Sequence, residues 1–475
     1  MNDLQQKKVL AEPTKQFFMH MLTRDIELKD AILDLLDNCI DGAMRSKEKP
    51  TLESGVPEEY EGYWAKIELT KSHFKISDNC GGISLDTAVD YAFRMGRPDQ
   101  AIDSDIPSIG MYGIGMKRAI FKMGDEAKVT SFTDAHKFEV SIPKNWGSKT
   151  DWSFEIDAPS QTLAENGTQI LITSLHDKVS DAFSDSENYF FEQLRSDIET
   201  HFAYLMQKGF KIYINDHEIR PKPINLIFSD KIEPYLFTLE YEGVTVKAII
   251  GFRGAPPTDE DLEEEIKEKR RSHDAGWTVI CNDRAVLVND KTRITGWGDP
   301  PVPAYHTQFI NITGVIEFSS NNANLLPLTT TKRGIDGNSE VYLAVKNFMK
   351  EGIKIFTDHT NKWKNDREAE QELFKESSAL LAKDAISKIE AYDEDLFSKP
   401  RVKIDSDKNA NTKKYIPKLP VPVSNNPNAK IIFSRPKVEV KEISEFFFES
   451  PNMKPSAIGE KCFDYVLHKL VKGKG

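Results

Sequence analysis

The sequence predicts an α+β fold, and three observations carry that expectation. Residues 27–44, ELKDAILDLLDNCIDGAM, repeat apolar side chains at helical steps. Short alternating segments follow from residue 64 and read as paired strands. From residue 341 to about 389 the helical period returns. Runs of strands set between helices predict sheets covered by helices. With 475 residues the chain is long enough for two to four domains, each burying its own core.

Bulk properties narrow the function classes. A net charge of −12 argues against a general nucleic-acid binder and leaves a local basic surface open. Cys39, Cys80, Cys281 and Cys462 lie far apart with no CxxC pair, which argues against a zinc module or a disulfide framework and fits a reducing cytosol. No apolar run reaches spanning length, and MNDLQQKKVL at the start lacks a signal-peptide core. The expectation is a cytoplasmic protein without membrane attachment.

Within 27–44, Leu28, Ile32, Leu35, Leu36, Cys39 and Ala43 form a core-facing stripe, and Asp34, Asn38 and Asp41 share a second one. Two readings stand for the polar stripe: a solvated face, or a site for a hydrated cation and an oriented water. Upstream, Phe17, Phe18, Met21 and Leu22 give a short amphipathic segment, either packed on its own domain or crossing to a second subunit. Residues 64–69 and 73–77 alternate as a hairpin running into Asp78-Asn79-Cys80-Gly81-Gly82-Ile83. An Asp before small residues lets a flat ligand approach the backbone and accepts a bond from its amino group, although an ordinary turn reads the same way. A polar loop over 94–109 leads to Gly110-Met111-Tyr112-Gly113-Ile114-Gly115-Met116-Lys117. Glycines opening a helix present N–H groups to an anion, with Lys117 in the first turn. A dinucleotide fold would require a buried strand before the glycines, where this chain has polar loop. Strands over 127–132, 137–142 and 166–172 follow; Thr168 is a β-former or a partner of Asp78 around a base.

In order and spacing these four segments resemble the GHKL superfamily of gyrase B subunits, heat-shock-90-type chaperones, histidine kinases and MutL proteins. The resembling motifs are Asp34-Leu-Leu-Asp-Asn38-Cys-Ile-Asp41-Gly42, Asp78-Asn-Cys80-Gly-Gly82, Gly110-Met-Tyr-Gly113-Ile-Gly115 and Gly167-Thr168. The lid wording looks most like microrchidia-type (MORC) and related bacterial members. The resemblance implies a Bergerat-fold ATPase domain, a mixed or antiparallel sheet covered by helices, with ATP and Mg²⁺ as cofactors. It implies that Asn38 holds the metal and Asp34 activates water. Asp78 takes the adenine amino group, Thr168 shares a bridging water and Gly82 lets the base approach. Gly113, Gly115 and Lys117 hold phosphates, and Asp41, Ile83, Gly110, Ile114 and Met116 complete the nucleotide set. Three departures stand out: Asp34 replaces the family's Glu and implies slow hydrolysis, Cys80 replaces a Gly and restricts its turn, and Gly42 replaces an Ala with the least consequence.

Beyond this region, 190–208 reads as a helix; 211–219, 235–241, 244–252, 276–288 and 310–318 read as strands; 259–271 reads as a charged helix. The expected organisation is an ATPase domain with its N-terminal arm (1–180), a transducer-like α/β domain (181–340), a helical segment (341–398), an extended or disordered linker (399–435) and a small helical tail (436–475). Lys332 is either a surface lysine or, as the resemblance implies, a latch reaching the γ-phosphate, which lets domain orientation follow nucleotide state. Linker lysines serve solubility or touch nucleic acid, and Phe446, Phe447 and Phe448 need cover from the tail's second helix or from a protein partner. Three functions compete: an ATP-gated homodimeric clamp with lid closure, a nucleotide-sensing module with little turnover, and a histidine-kinase-type enzyme, for which no acceptor hairpin precedes the motifs. Relatives associated with DNA or anti-phage defence give analogies for the client.

Overall fold

Amphipathic helices and alternating strands assemble here as two sheets with helices on their faces, in a computed structural model that describes residues 13–46, 59–94, 113–257, 274–329, 334–400, 411–422, 431, 433–471 and 473. The loop over 95–109, Gly110, the 259–271 insertion and Lys332 lie outside these residues. The chain divides into two units, 1–422 and 423–475.

In the first unit, α1 (Lys15–Arg24) and α2 (Leu28–Ser46) precede the hairpin β1 (Trp64–Leu69) and β2 (Phe74–Asp78). After the short α3 (Leu85–Thr87) come α4 (Gly115–Met123), β3 (Gly124–Phe132), β4 (Lys137–Ile142), β5 (Ile156–Asp157) and β6 (Gly167–Leu175). Then α5 (Asp177–Phe183), α6 (Tyr189–His201) and α7 (Ala203–Gln207) lead to β7 (Lys211–Ile214) and β8 (His217–Glu218). The strands are ordered β5-β4-β3-β6-β2-β1-β7-β8, antiparallel except where β1 meets β7. This is the mixed α+β architecture the sequence predicts. The apolar stripe of α2 packs onto this sheet with Ile32, Leu35, Leu36, Cys39 and Ala43 all buried. Leu194, Ile198, Phe202 and Ile212 join the same core, so it extends past residue 180. Helix α1 packs against its own chain: Lys15 is buried, donates to the Trp146 carbonyl (3.2 Å) and lies 4.0 Å from the Trp146 ring centroid.

A second sheet follows. Its strands are β10 (Tyr235–Tyr241), β11 (Val244–Phe252), β12 (Gly276–Cys281), β13 (Arg284–Asp290), β14 (Ile312–Ser320) and β16 (Asn411–Tyr415), in the order β13-β12-β14-β11-β10-β16. Helix α8 (Glu340–Trp363) covers one face through Val341, Val345, Met349, Ile353 and Phe356. The other face meets Tyr204, α10 (Ala382–Glu390) through Ile386 and Ile389, and the small sheet of β9 (Asn225–Phe228) with β15 (Ser378–Leu381). A six-residue helix α9 (Arg367–Glu372) lies between α8 and β15.

Three sequence expectations change. The 276–288 strand is a hairpin turning at Asn282 and Asp283, both left-handed (φ 43° and 64°), and 211–219 turns likewise at Asn215 and Asp216. The helical stretch 341–389 contains the strand β15. Within 399–435, β16 pairs with β10 across the register Leu236↔Tyr415 to Glu240↔Asn411, and this otherwise polar segment buries Thr412 on one face of the sheet and Tyr415 on the other.

The second unit holds α11 (Lys437–Phe448) and α12 (Pro455–Val466). Phe447 meets Tyr465 edge-on at 5.6 Å, so the tail's own second helix covers this one ring, while Phe446 remains 75% exposed. No described helix is long and apolar enough to cross a membrane.

Candidate nucleotide site

Between Ala31 and Met44 of α2, every residue is buried except Asn38. A helix hidden on nearly all sides leaves that one carboxamide open because Asn38 lines a cavity of about 450 Å³. The cavity is walled by α2, the turn after β2, the start of α4 and the start of β6, the four segments the motifs mark. Its lining includes Asp34, Asn38, Asp41, Asp78, Gly82, Ile83, Gly113, Ile114, Gly115, Met116, Lys117 and Thr168. The volume suits a small-molecule ligand.

Asp78 stands where β2 ends. Its Oδ1 accepts from the main-chain N–H of Cys80 (2.8 Å) and of Thr168 (3.2 Å), which fixes the carboxylate plane. Burial pushes this carboxyl up to about 6, against the pull of those two N–H groups. Gly167 lets β6 approach this closely, since a Cβ there would sit 1.9 Å from the Asp78 carbonyl oxygen. Gly82 has φ +75°, and a Cβ on it would meet the Phe132 carbonyl at 2.3 Å. Next to it, the Ile83 N–H donates to Ser131 Oγ (2.7 Å).

The two departures at Cys80 and Gly42 prove to be one. The left-handed residues of the turn are Gly81 and Gly82, so Cys80 does not restrict it. A Cβ on Gly42 would lie 2.8 Å from the Cys80 carbonyl oxygen and 3.0 Å from Cys80 Cβ. The smaller residue on α2 makes room for the larger one in the turn. Ser46 ties the pair together by donating to the carbonyls of Gly42 (2.9 Å) and Cys80 (3.0 Å). Burial holds the Cys80 thiol well above its ordinary range, so it is protonated and inert beside the cavity.

One turn before Asn38 on α2, Asp34 is 8% exposed and is engaged by Arg118 of α4 in a salt bridge. The ammonium of Lys117, expected at the phosphates, is buried and donates to the carbonyls of Ala92 (2.8 Å) and Gly113. Arg118 and Arg45 both line the cavity, and the Arg45 charge also acts on Asp78. The sequence reading did not select either arginine. The available signal for Arg118 was its place in the first turn of the glycine-led helix. Mg²⁺ fits this donor set. The described residues contain no group of three or more metal-ligating side chains, and a carboxamide beside two aspartates suits an ion that brings phosphate oxygens and water with it.

Residues 26–174 match the family described as Histidine kinase-, DNA gyrase B-, and HSP90-like ATPase. No curated protein matches the chain. Residues 26–174 are thus similar to a GHKL-type ATPase domain, and the motif residues Asp34, Asn38, Asp41, Asp78, Gly82, Gly113, Gly115 and Thr168 line one cavity.

Proposed function

We propose that this domain binds ATP with Mg²⁺ and hydrolyses it slowly, and that nucleotide state governs the pairing of two chains as a clamp. The observation that carries the ATP reading is that an anchored Asp78 carboxylate and an exposed Asn38 carboxamide line one cavity. In this reading Asp78 takes the adenine amino group, Asn38 the magnesium, and Asp34 orients the attacking water. Calorimetry with Mg–ATP tests it: Asp78→Ala abolishes the heat of binding, Asn38→Ala weakens binding only when Mg²⁺ is present, and Asp34→Asn stops hydrolysis while retaining binding. The solution mass with a non-hydrolysable ATP analogue tests the clamp, and a monomer throughout removes it.

A second reading, a nucleotide sensor with little turnover, is favoured by the short Asp34 side chain and its engagement by Arg118. Failure to hydrolyse ATP under every partner condition would select it. The MORC-like lid wording supports a client in DNA-associated or defence processes, and the exposed Phe446 supports a protein partner on the tail. Pull-downs with and without ATP identify that client.

A further inference from the structure

Arg118 sits on the wall of the cavity with two of its nitrogens in different states. Its Nη2 donates to Asp34 Oδ2, while Nε is buried without a hydrogen-bond partner among the described residues. Asp34 lies against the start of α4, where a Cβ on Gly115 would make ordinary contact with Asp34 Cβ at 3.6 Å. Lys117, the adjacent cation, is held by main-chain carbonyls. The Arg118 side chain, 23% exposed, thus lines the cavity beside Asp34, the carboxylate assigned above to orient water. A buried N–H without an acceptor is costly, and a planar guanidinium matches a phosphoryl group through two parallel bonds.

We propose that Arg118 reads the terminal phosphate of the nucleotide: without nucleotide it is held by Asp34, and on binding it exchanges that carboxylate for terminal phosphoryl oxygens. The exchange satisfies the guanidinium with a more highly charged acceptor and releases the Asp34 carboxylate toward water. ADP offers no such oxygen at this end, so Arg118 sets the preference for the triphosphate. The inference rests on the ATP reading above.

Calorimetry on the full chain, comparing a non-hydrolysable Mg–ATP analogue with Mg–ADP, tests it. Arg118→Gln is expected to lose about tenfold in affinity for the analogue and to keep its ADP affinity within about twofold. Arg118→Lys recovers part of the loss and carries the test if the glutamine variant unfolds on heating before wild type does. Asp34→Asn frees the guanidinium and is expected to bind the analogue about fivefold tighter, a gain that vanishes in Asp34→Asn/Arg118→Gln. Equal loss for both nucleotides in Arg118→Gln, or a gain that persists in the double variant, overturns the inference and leaves the ATP reading standing. Absence of binding heat for both nucleotides in wild type overturns the ATP reading and the inference together.

Discussion

At the scale of the residue, Asp78 makes opposite demands on stability and binding. A carboxyl raised to about 6 favours the folded state when protonated, so its contribution to stability is fully present below the unfolded value near 3.9 and is lost as pH rises through about 6. Accepting a bond from an amino group requires the ionised form, so ligand binding runs the other way. Affinity for ATP should hold above pH 7 and fall by up to about tenfold per unit below pH 6, and Asp78→Asn should flatten that profile in calorimetric titrations. Gly42 and Cys80 were legible only as separate departures from a motif. Their contact predicts that Gly42→Ala destabilises by about 1–3 kcal/mol, because Cβ meets a carbonyl held by Ser46. Cys80→Gly in that background should restore part of the loss in thermal melts, since one of the two close contacts disappears.

At the scale of the element, strong period settled most assignments. The expected strands 64–69, 137–142, 235–241 and 244–252 coincide with β1, β4, β10 and β11, and the predicted helix 27–44 lies within two residues of α2 at each end. The errors cluster where the local signal is a turn or a short strand. Asn-Asp pairs at 215–216 and 282–283 marked hairpins that continuous β-formers obscured. The strand β16 carries too few apolar residues to announce itself, and only the exposed edge of β10 selects it. A chain stopped after residue 422 should keep the thermal midpoint of the first unit. One stopped after residue 400 should melt several degrees lower and associate as concentration rises, because β10 then presents an open edge. Light scattering alongside the melt distinguishes the two.

At the scale of the molecule, helix α2 is tied to the second sheet by buried charge. Arg284 of β13 donates from Nε to Asp37 Oδ1 (2.9 Å), both are nearly fully buried, and the guanidinium lies 4.2 Å from the Phe202 ring centroid. Nearby, the Tyr60 hydroxyl donates to Asp283 (2.6 Å) and the Tyr204 hydroxyl to Glu317 (2.8 Å), with the Lys208 ammonium bonded to both carboxylates. Burial pushes Lys208 toward neutrality, and the two carboxylates outweigh it and hold the amine well above its ordinary range. Asp37 follows Asp34 by one turn and precedes Asn38, so α2 presents one acidic residue to the second sheet and a carboxamide to the cavity. Arg284→Met should cost about 3–5 kcal/mol by removing a buried guanidinium from the Asp37 carboxylate, and Asp37→Leu/Arg284→Met should regain most of it in chemical denaturation. A double variant as unstable as the single one would reduce the ion pair to simple packing.

By itself the sequence determined the α+β class and the core stripe of α2, because each follows from spacing within a few residues, while the order of its four motifs pointed, by resemblance, to polar residues and glycines that line the cavity. Tertiary structure decided which cation meets Asp34, why Gly42 accompanies Cys80, what Asp37 does and where β16 belongs. Those pairings join residues 38 to 247 positions apart, such as Gly42 with Cys80 and Asp37 with Arg284. Nothing in a local period encodes them: they exist only once the sheets have closed and buried groups must find partners.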